Sequence, residues 1–276
     1  IWYDSVARKV QGSKTAAGSW ATGEALPAVM VKNAGAGIQT AAIVFGGLDA
    51  DGVADESYTY DGTDWTDIGA MTNNRQMLGG CGTSTAALGA GGYPVPARGA
   101  DTEEWNGSAW SETANLGTSR YGCHSAGTQT AALCITGHTY PGSETADVEQ
   151  YDGSSWSQIA DVNTSRRQHA AAGTSTAALA IGGNNGGSVS DAVESWNGTA
   201  WTETHEINTA RDALGGDGTS TLALVWGGTS PARDETEVYD GSSWTESGDL
   251  NSGRWGTSGG GTTSSAVTAG GFVLPG

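Results

Sequence analysis

Lysine is nearly missing from this chain. Of 276 residues, Lys and Arg together number 12 against 30 Asp and Glu, a formal net charge of −18, and the only lysines are Lys9, Lys14 and Lys32. A surface of that sign repels phosphate backbones and anionic headgroups, so neither nucleic acid nor a membrane surface is an expected partner. Apolar runs long enough to cross a bilayer are absent too, and no membrane insertion is expected. Three cysteines are too few for a disulfide scaffold. The 4 histidines, His124, His138, His169 and His205, share no metal-ligand spacing. No stretch has the 3.6-residue apolar period of a helix. No signal-peptide pattern opens the chain at Ile1, and a processed product or a piece of a longer polypeptide is expected.

Glycine and tryptophan are plentiful, with 45 Gly, 11 Trp and 8 Tyr. So many aromatics argue against disorder. They also repeat. Trp20, Trp65, Trp110, Trp156, Trp201 and Trp244 are 45, 45, 46, 45 and 43 residues apart. The pairs Gly46-Gly47, Gly91-Gly92, Gly182-Gly183, Gly227-Gly228 and Gly270-Gly271 keep the same period. In the third copy the pair reads Gly137-His138, which puts His138 in the second glycine slot. Arg75, Arg120, Arg166, Arg211 and Arg254 mark a third register, with Met30 in that position of the first copy.

Each unit splits into four short strands. "AALAIGG" is an apolar run ending in glycines, "AVESW" and "AWTET" alternate, and "NG" or "DG" dipeptides signal hairpins between them. "GTST" and "GTQT" mark a second tight turn. Four strands in about 45 residues is the signature of a propeller blade.

The frame "ALAIGG … ESWNGTAW … NTAR" resembles the kelch repeat, and the resemblance covers essentially the whole chain. It implies an all-β fold: a single domain over residues 1–276, a β-propeller with the Trp on the outermost strand of each blade. The Trp is expected to fill the wedge between blades, and the Arg to pair with carboxylates or carbonyls. The copper ligands of the kelch enzyme galactose oxidase have no counterpart here. The blade count follows from the ends. The last copy lacks its outer two strands and the N-terminal segment lacks its inner two, so six blades are expected, four antiparallel strands each, with residues 2–24 pairing with residues 254–272. Copies alternate between "YDG" and "WNG" turns, as a duplicated two-blade unit would.

Candidate functional residues come from contrast between loops. Loops after the first and third strands are nearly uniform, whereas those after the double glycine all differ: "LDADGVADES", "YPVPARGADT", "TYPGSETAD", "NNGGSVSDA" and "TSPARDET". A varied face on a constant frame is where binding is expected. The position after each repeat Arg, read as Val31, Gln76, Tyr121, Arg167, Asp212 and Trp255, opens the inner strand beside the axis. Tyr93, Tyr121, Tyr140, Arg167, Asp212 and Trp255 are the expected ligand contacts, with aromatic faces beside a donor and an acceptor, as suits a sugar. Asp49, Asp51, Asp55 and Glu56 crowd one loop and offer oxygens for Ca²⁺, although the spacing is not an EF-hand; a solvated acidic loop is the alternative. Otherwise no cofactor is expected. Cys123 and Cys134 face each other if "GTQT" is a four-residue loop, or are diagonal if Gly127-Thr128 is the turn; free thiols are expected, along with free Cys81. The sequons at Asn106, Asn163 and Asn197 read as turn residues.

No nucleophile elbow or catalytic pairing stands out, and the expectation is a non-enzymatic binding or structural module. The acidic, lysine-poor, Gly/Ser/Thr/Ala-rich repeats resemble those of phage and marine microbial appendage proteins. That resemblance implies an extracellular or virion-surface adhesin, fibre or decoration domain touching a glycan or another virion or surface protein. An intracellular kelch adaptor and a glycan-active enzyme are the alternatives.

Overall fold

The computed structural model describes residues 9–11, 18–94, 97, 99–229 and 231–273, and the remainder of the expected N-terminal pairing, residues 2–8 and 12–17, lies outside them. The fold is an all-β propeller of antiparallel four-stranded sheets, and no helix occurs among the described residues. Sheet one pairs Ala34–Ile38, Ala41–Leu48, Val53–Tyr60 and Trp65–Ala70, and sheet two Gly79–Thr83, Ala86–Ala90, Thr102–Trp105 and Trp110–Glu112. Sheet three has an innermost strand in two pieces, Arg120–Tyr121 and His124–Thr128, then Ala131–Thr139, Glu144–Tyr151 and Trp156–Gln158. Sheet four holds Ala170–Thr174, Ala177–Ile181, Val193–Trp196 and Trp201–Glu203, and sheet five Gly215–Gly218, Ala223–Trp226, Thr236–Tyr239 and Trp244–Ser247. Sheet six draws on both ends of the chain: Arg254–Thr262 and Ser265–Val273 are extended by Lys9–Gln11 and Thr22–Ala25. The innermost strands lie side by side in cyclic order, with that of sheet six against that of sheet one.

The paired aromatics five residues apart are cross-strand partners. Tyr60↔Trp65, Trp105↔Trp110, Tyr151↔Trp156, Trp196↔Trp201 and Tyr239↔Trp244 flank four-residue loops. In each loop the first residue, Asp61, Asn106, Asp152, Asn197 or Asp240, accepts the backbone N–H groups two and three residues on. That side-chain turn is why Asp and Asn precede the glycine. The fourth-strand Trp then reaches the preceding sheet: Trp110 Nε1 donates to Ser57 Oγ at 3.0 Å, Trp156 to Thr102 Oγ1 at 3.1 Å and Trp20 to Thr236 Oγ1 at 3.0 Å. Trp20, Trp65, Trp110, Trp201 and Trp244 are buried, as expected, whereas Trp156 is only half-buried.

The double glycine has a docking reason. Its second residue donates its N–H to the carbonyl of the Arg position of the next sheet, from Gly47 to Arg75 at 2.6 Å round to Gly271 and Met30 at 3.0 Å. A Cβ on Gly46 would sit 2.6 Å from that Arg75 oxygen, and the backbone there has φ 61°, which glycine adopts freely. The same geometry corrects the third copy. Thr136, at φ 52°, occupies the first glycine slot and Gly137 the second, so His138 stands one position beyond the pair. A β-branched residue in the left-handed region is strained, and the Gly137-His138 dipeptide disguised it in the sequence. A second correction concerns the cysteines. Gly127↔Ala132 and Thr128↔Ala131 are paired, so Gln129-Thr130 is the turn and neither expected loop forms. Cys134 lies opposite Ser125, Cys123 is its diagonal neighbour, and all three cysteines are buried free thiols.

Four of the five repeat arginines are clamped by a Glu. Arg166 Nη2 meets Glu194 at 2.5 Å, while its Nη1 donates to the carbonyls of Gly182 and Ala192 at 3.1 and 2.8 Å. Arg75–Glu103, Arg120–Glu149 and Arg211–Glu237 repeat the pair. The Glu always stands opposite the residue two before the first glycine slot: Gly89, Cys134, Ala180 or Val225. In sheet six that register, opposite Thr268, belongs to Gln11. Arg254 donates Nη1 to the Gly270 carbonyl at 2.7 Å, but its Nη2 and Nε find no partner among the described residues. Burial draws this guanidinium down to about 10.

Candidate functional site

The residue after each repeat Arg pairs across its sheet with the residue after the double glycine slot. The six pairs are Val31–Leu48, Gln76–Tyr93, Tyr121–His138, Arg167–Asn184, Asp212–Thr229 and Trp255–Phe272. They stand on the varied-loop face, because strands alternate direction and the "GTST" and "DGSS" loops turn at the other end. One residue further along the inner strand is left-handed in every sheet: Lys32, Met77, Gly122, Gln168, Ala213 and Gly256, at φ 51–66°. Their backbones form a closed girdle. Lys32 N donates to Gly256 O, Met77 to Lys32, Gly122 to Met77, Gln168 to Gly122, Ala213 to Gln168 and Gly256 to Ala213, each at 2.7–2.8 Å. The same six residues line a shallow recess on the axis.

The expected contact residues fall on this mouth, but not as one cluster. Tyr93 meets Tyr121 edge-on, with ring centroids 6.0 Å apart and planes at 78°, and the Tyr121 ring also lies against His138 at 5.0 Å. Tyr93 is 43% exposed and Tyr140 59% exposed. Trp255 stacks on Phe272 at 4.3 Å, and the Lys32 ammonium lies 5.9 Å from the Trp255 ring and 5.8 Å from Phe272. The expected polar pair is already engaged. Arg167 Nε faces Glu144 at 3.4 Å. Asp212 is 7% exposed and accepts from Asn184 Nδ2 at 3.0 Å and from the Thr229 hydroxyl. These two side chains link sheets three, four and five. Sequence reasoning missed Lys32, Phe272 and His138 at the mouth, although Phe272 and His138 directly follow the glycine slots.

Below the girdle the axial recess takes in His124. The His124 ring lies against that of His169, centroids 5.3 Å apart and planes tilted at 56°. Burial holds His124 at about 4 and, with the neighbouring His124 and Arg166 charges, His169 well below its ordinary range. Both imidazoles are therefore neutral at physiological pH. Toward the uniform face a cavity of about 70 Å³ is lined by glycines and alanines of the inner strands, with Ser125 and Asp217. That is room for a few waters. The carboxylates of the "DADGVADE" loop do not converge: Asp49 Oδ1 accepts the Asp51 and Gly52 N–H groups, and among the described residues no three His, Cys, Asp or Glu side chains gather for a metal ion.

Asp217 accepts the N–H groups of Gly218 and Gly261 at 2.6 and 2.7 Å, yet burial pushes its carboxyl up to about 6. The native state thus keeps this proton to higher pH than the unfolded chain does. Stability from this group is full below about pH 4 and falls as pH rises to about 6. Asp217→Asn should flatten that part of the stability–pH curve, a difference of roughly 2 kcal/mol between pH 4 and pH 7. Identical pH profiles for wild type and variant would disprove it.

No protein-family model matches the chain, and no curated protein matches it. A solved structure described as "Structure of YjhT" matches it with a TM-score of 0.75 at 13% identity, over 91% of this chain and 93% of that one. At that identity the likeness establishes the propeller fold alone.

Proposed function

We propose that this propeller is a non-enzymatic binding module of a virion or cell-surface appendage, and that it contacts a glycan or a surface protein with its varied-loop face. All six sheets are taken as blades of one ring, because the girdle includes a residue from each and returns to its start. The observation that carries the binding reading is the set of six rim pairs: one backbone arrangement, repeated in every sheet, presents six different side-chain pairs. A scaffold that holds its backbone constant while changing its rim is built to display the rim. The opposite face presents the same side-chain turns five times over. A non-catalytic role accords with the buried, neutral His169 and with the small axial cavity of about 70 Å³. Polymer coupled through Ser188→Cys, on the varied face, should abolish retention of labelled protein on a panel of intact bacterial cells. Polymer coupled through Ser154→Cys, on the uniform face, should leave retention intact. The reverse pattern would overturn the reading, and the three native thiols, being buried, do not compete for the label.

A further inference from the structure

The geometry points to a site for one neutral sugar ring, the exposed end of a glycan, in the corner between Tyr93 and Tyr121. This deepens the varied-face reading and rests on it. The two ring planes stand at 78°, so a pyranose can lay its C–H face on one ring and its edge against the other. The corner is set before any ligand arrives. Tyr93 is held by two backbone bonds to Gln76, at 3.1 and 2.8 Å, and the Tyr121 ring is supported by His138. Such pre-formed aromatic surface binds at low entropic cost.

The hydroxyls give a second, independent indication. On the uniform face Tyr60, Tyr151 and Tyr239 all use their phenol groups, toward Gly62 O, toward Thr113 and Glu104, and toward Thr204. On the varied face no hydrogen bond among the described residues engages the hydroxyls of Tyr93, Tyr121 or Tyr140. The free hydroxyls of Tyr93 and Tyr121, carried on the two rings of the corner, match a ligand that is apolar on its faces and hydroxylated at its edge. Charge selects a neutral one. Arg167, the one cation among the six slots that follow the repeat Arg, already faces Glu144 across 3.4 Å, and the net charge of −18 repels acidic sugars. A protein partner fits poorly, since among the described residues the only large apolar side chains exposed on this face are Tyr93 and Tyr140, far short of a stable interface core.

The test is an array of neutral, sialylated and sulfated glycans, followed by calorimetric titration of the strongest neutral hit. Binding of neutral members is expected, with Tyr93→Ala and Tyr121→Ala each weakening it at least tenfold and Tyr121→Phe weakening it less. Tyr60→Phe, on the other face, should leave affinity unchanged, and thermal melts of Tyr93→Ala should overlay the wild type. Preference for acidic glycans, or neutral binding that survives both alanine substitutions, overturns the site. If no glycan binds while polymer at residue 188 still blocks cell retention, the sugar inference falls and the varied-face reading stands.

Discussion

Glu194→Ala should destabilise the protein by about 3–5 kcal/mol, because it leaves the Arg166 guanidinium buried without its counter-charge. The carboxylate also accepts from the Asn163 N–H at 2.6 Å, the Asn163 amide at 2.8 Å and the Thr164 N–H at 3.2 Å. Sheet one already contains the uncharged solution. Met30 stands in the Arg position, Tyr58 takes the register of the Glu opposite Val44, and Pro27, which has no N–H to satisfy, occupies the position of Asn163. Met30 and Tyr58 pack in one buried apolar cluster. Arg166→Met with Glu194→Tyr should therefore recover most of the loss. What remains, about 1–3 kcal/mol for the stranded Asn163 N–H, should shrink further with Asn163→Pro. Urea titration of the single, double and triple variants decides the matter. A double variant no more stable than Glu194→Ala alone would mean that the ion pair does something the apolar trio cannot replace.

Trp110→Ala should cost about 3–5 kcal/mol as well, through a cavity rather than a charge. The indole packs on Phe45 of the neighbouring sheet at 4.8 Å and on its own partner Trp105 at 5.8 Å. It also holds Ser57 across the seam. The half-buried Trp156 provides the comparison. It keeps a hydroxyl partner in Thr102 but less enclosure, so Trp156→Ala should cost clearly less. Equal losses would show that the indole hydrogen bond, and not packing, sets the energy. An intact melting temperature for Trp110→Ala would place the residue outside the inter-sheet core altogether.

Period, strand count and the joining of the two chain ends were legible in the sequence because each leaves a side-chain mark at fixed spacing. Trp marks the seams, Arg the clamps and paired glycines the docking carbonyls. The Glu partner of Arg75, Arg120, Arg166 and Arg211 was equally present, 26 to 29 residues later, but it sits among many acidic residues and only the sheet register singles it out. Thr136 shows the opposite difficulty. The backbone demands a left-handed residue there, the chain supplies a threonine, and the following Gly-His imitates the expected pair one position late. The mouth was legible in position but not in chemistry. The slot after each Arg was located, whereas the engagement of Arg167 by Glu144 and of Asp212 by Asn184 and Thr229 depends on residues from neighbouring sheets.

The girdle left no mark at all, since a bond between backbone groups is indifferent to whether the residue is Lys32, Met77, Gly122, Gln168, Ala213 or Gly256. Its consequence lies in how the molecule comes apart. A stacked array of repeats has end members with one neighbour each, and it unravels from them. A hoop of amides running head to tail has no end member. Each residue of the hoop is bonded on both sides, through its own N–H and its own C=O. Pulling any one sheet outward must break two links at once. The varied face is thus the side on which repeats are least able to leave one at a time, and its loops can change freely over a rim that gives way only as a whole.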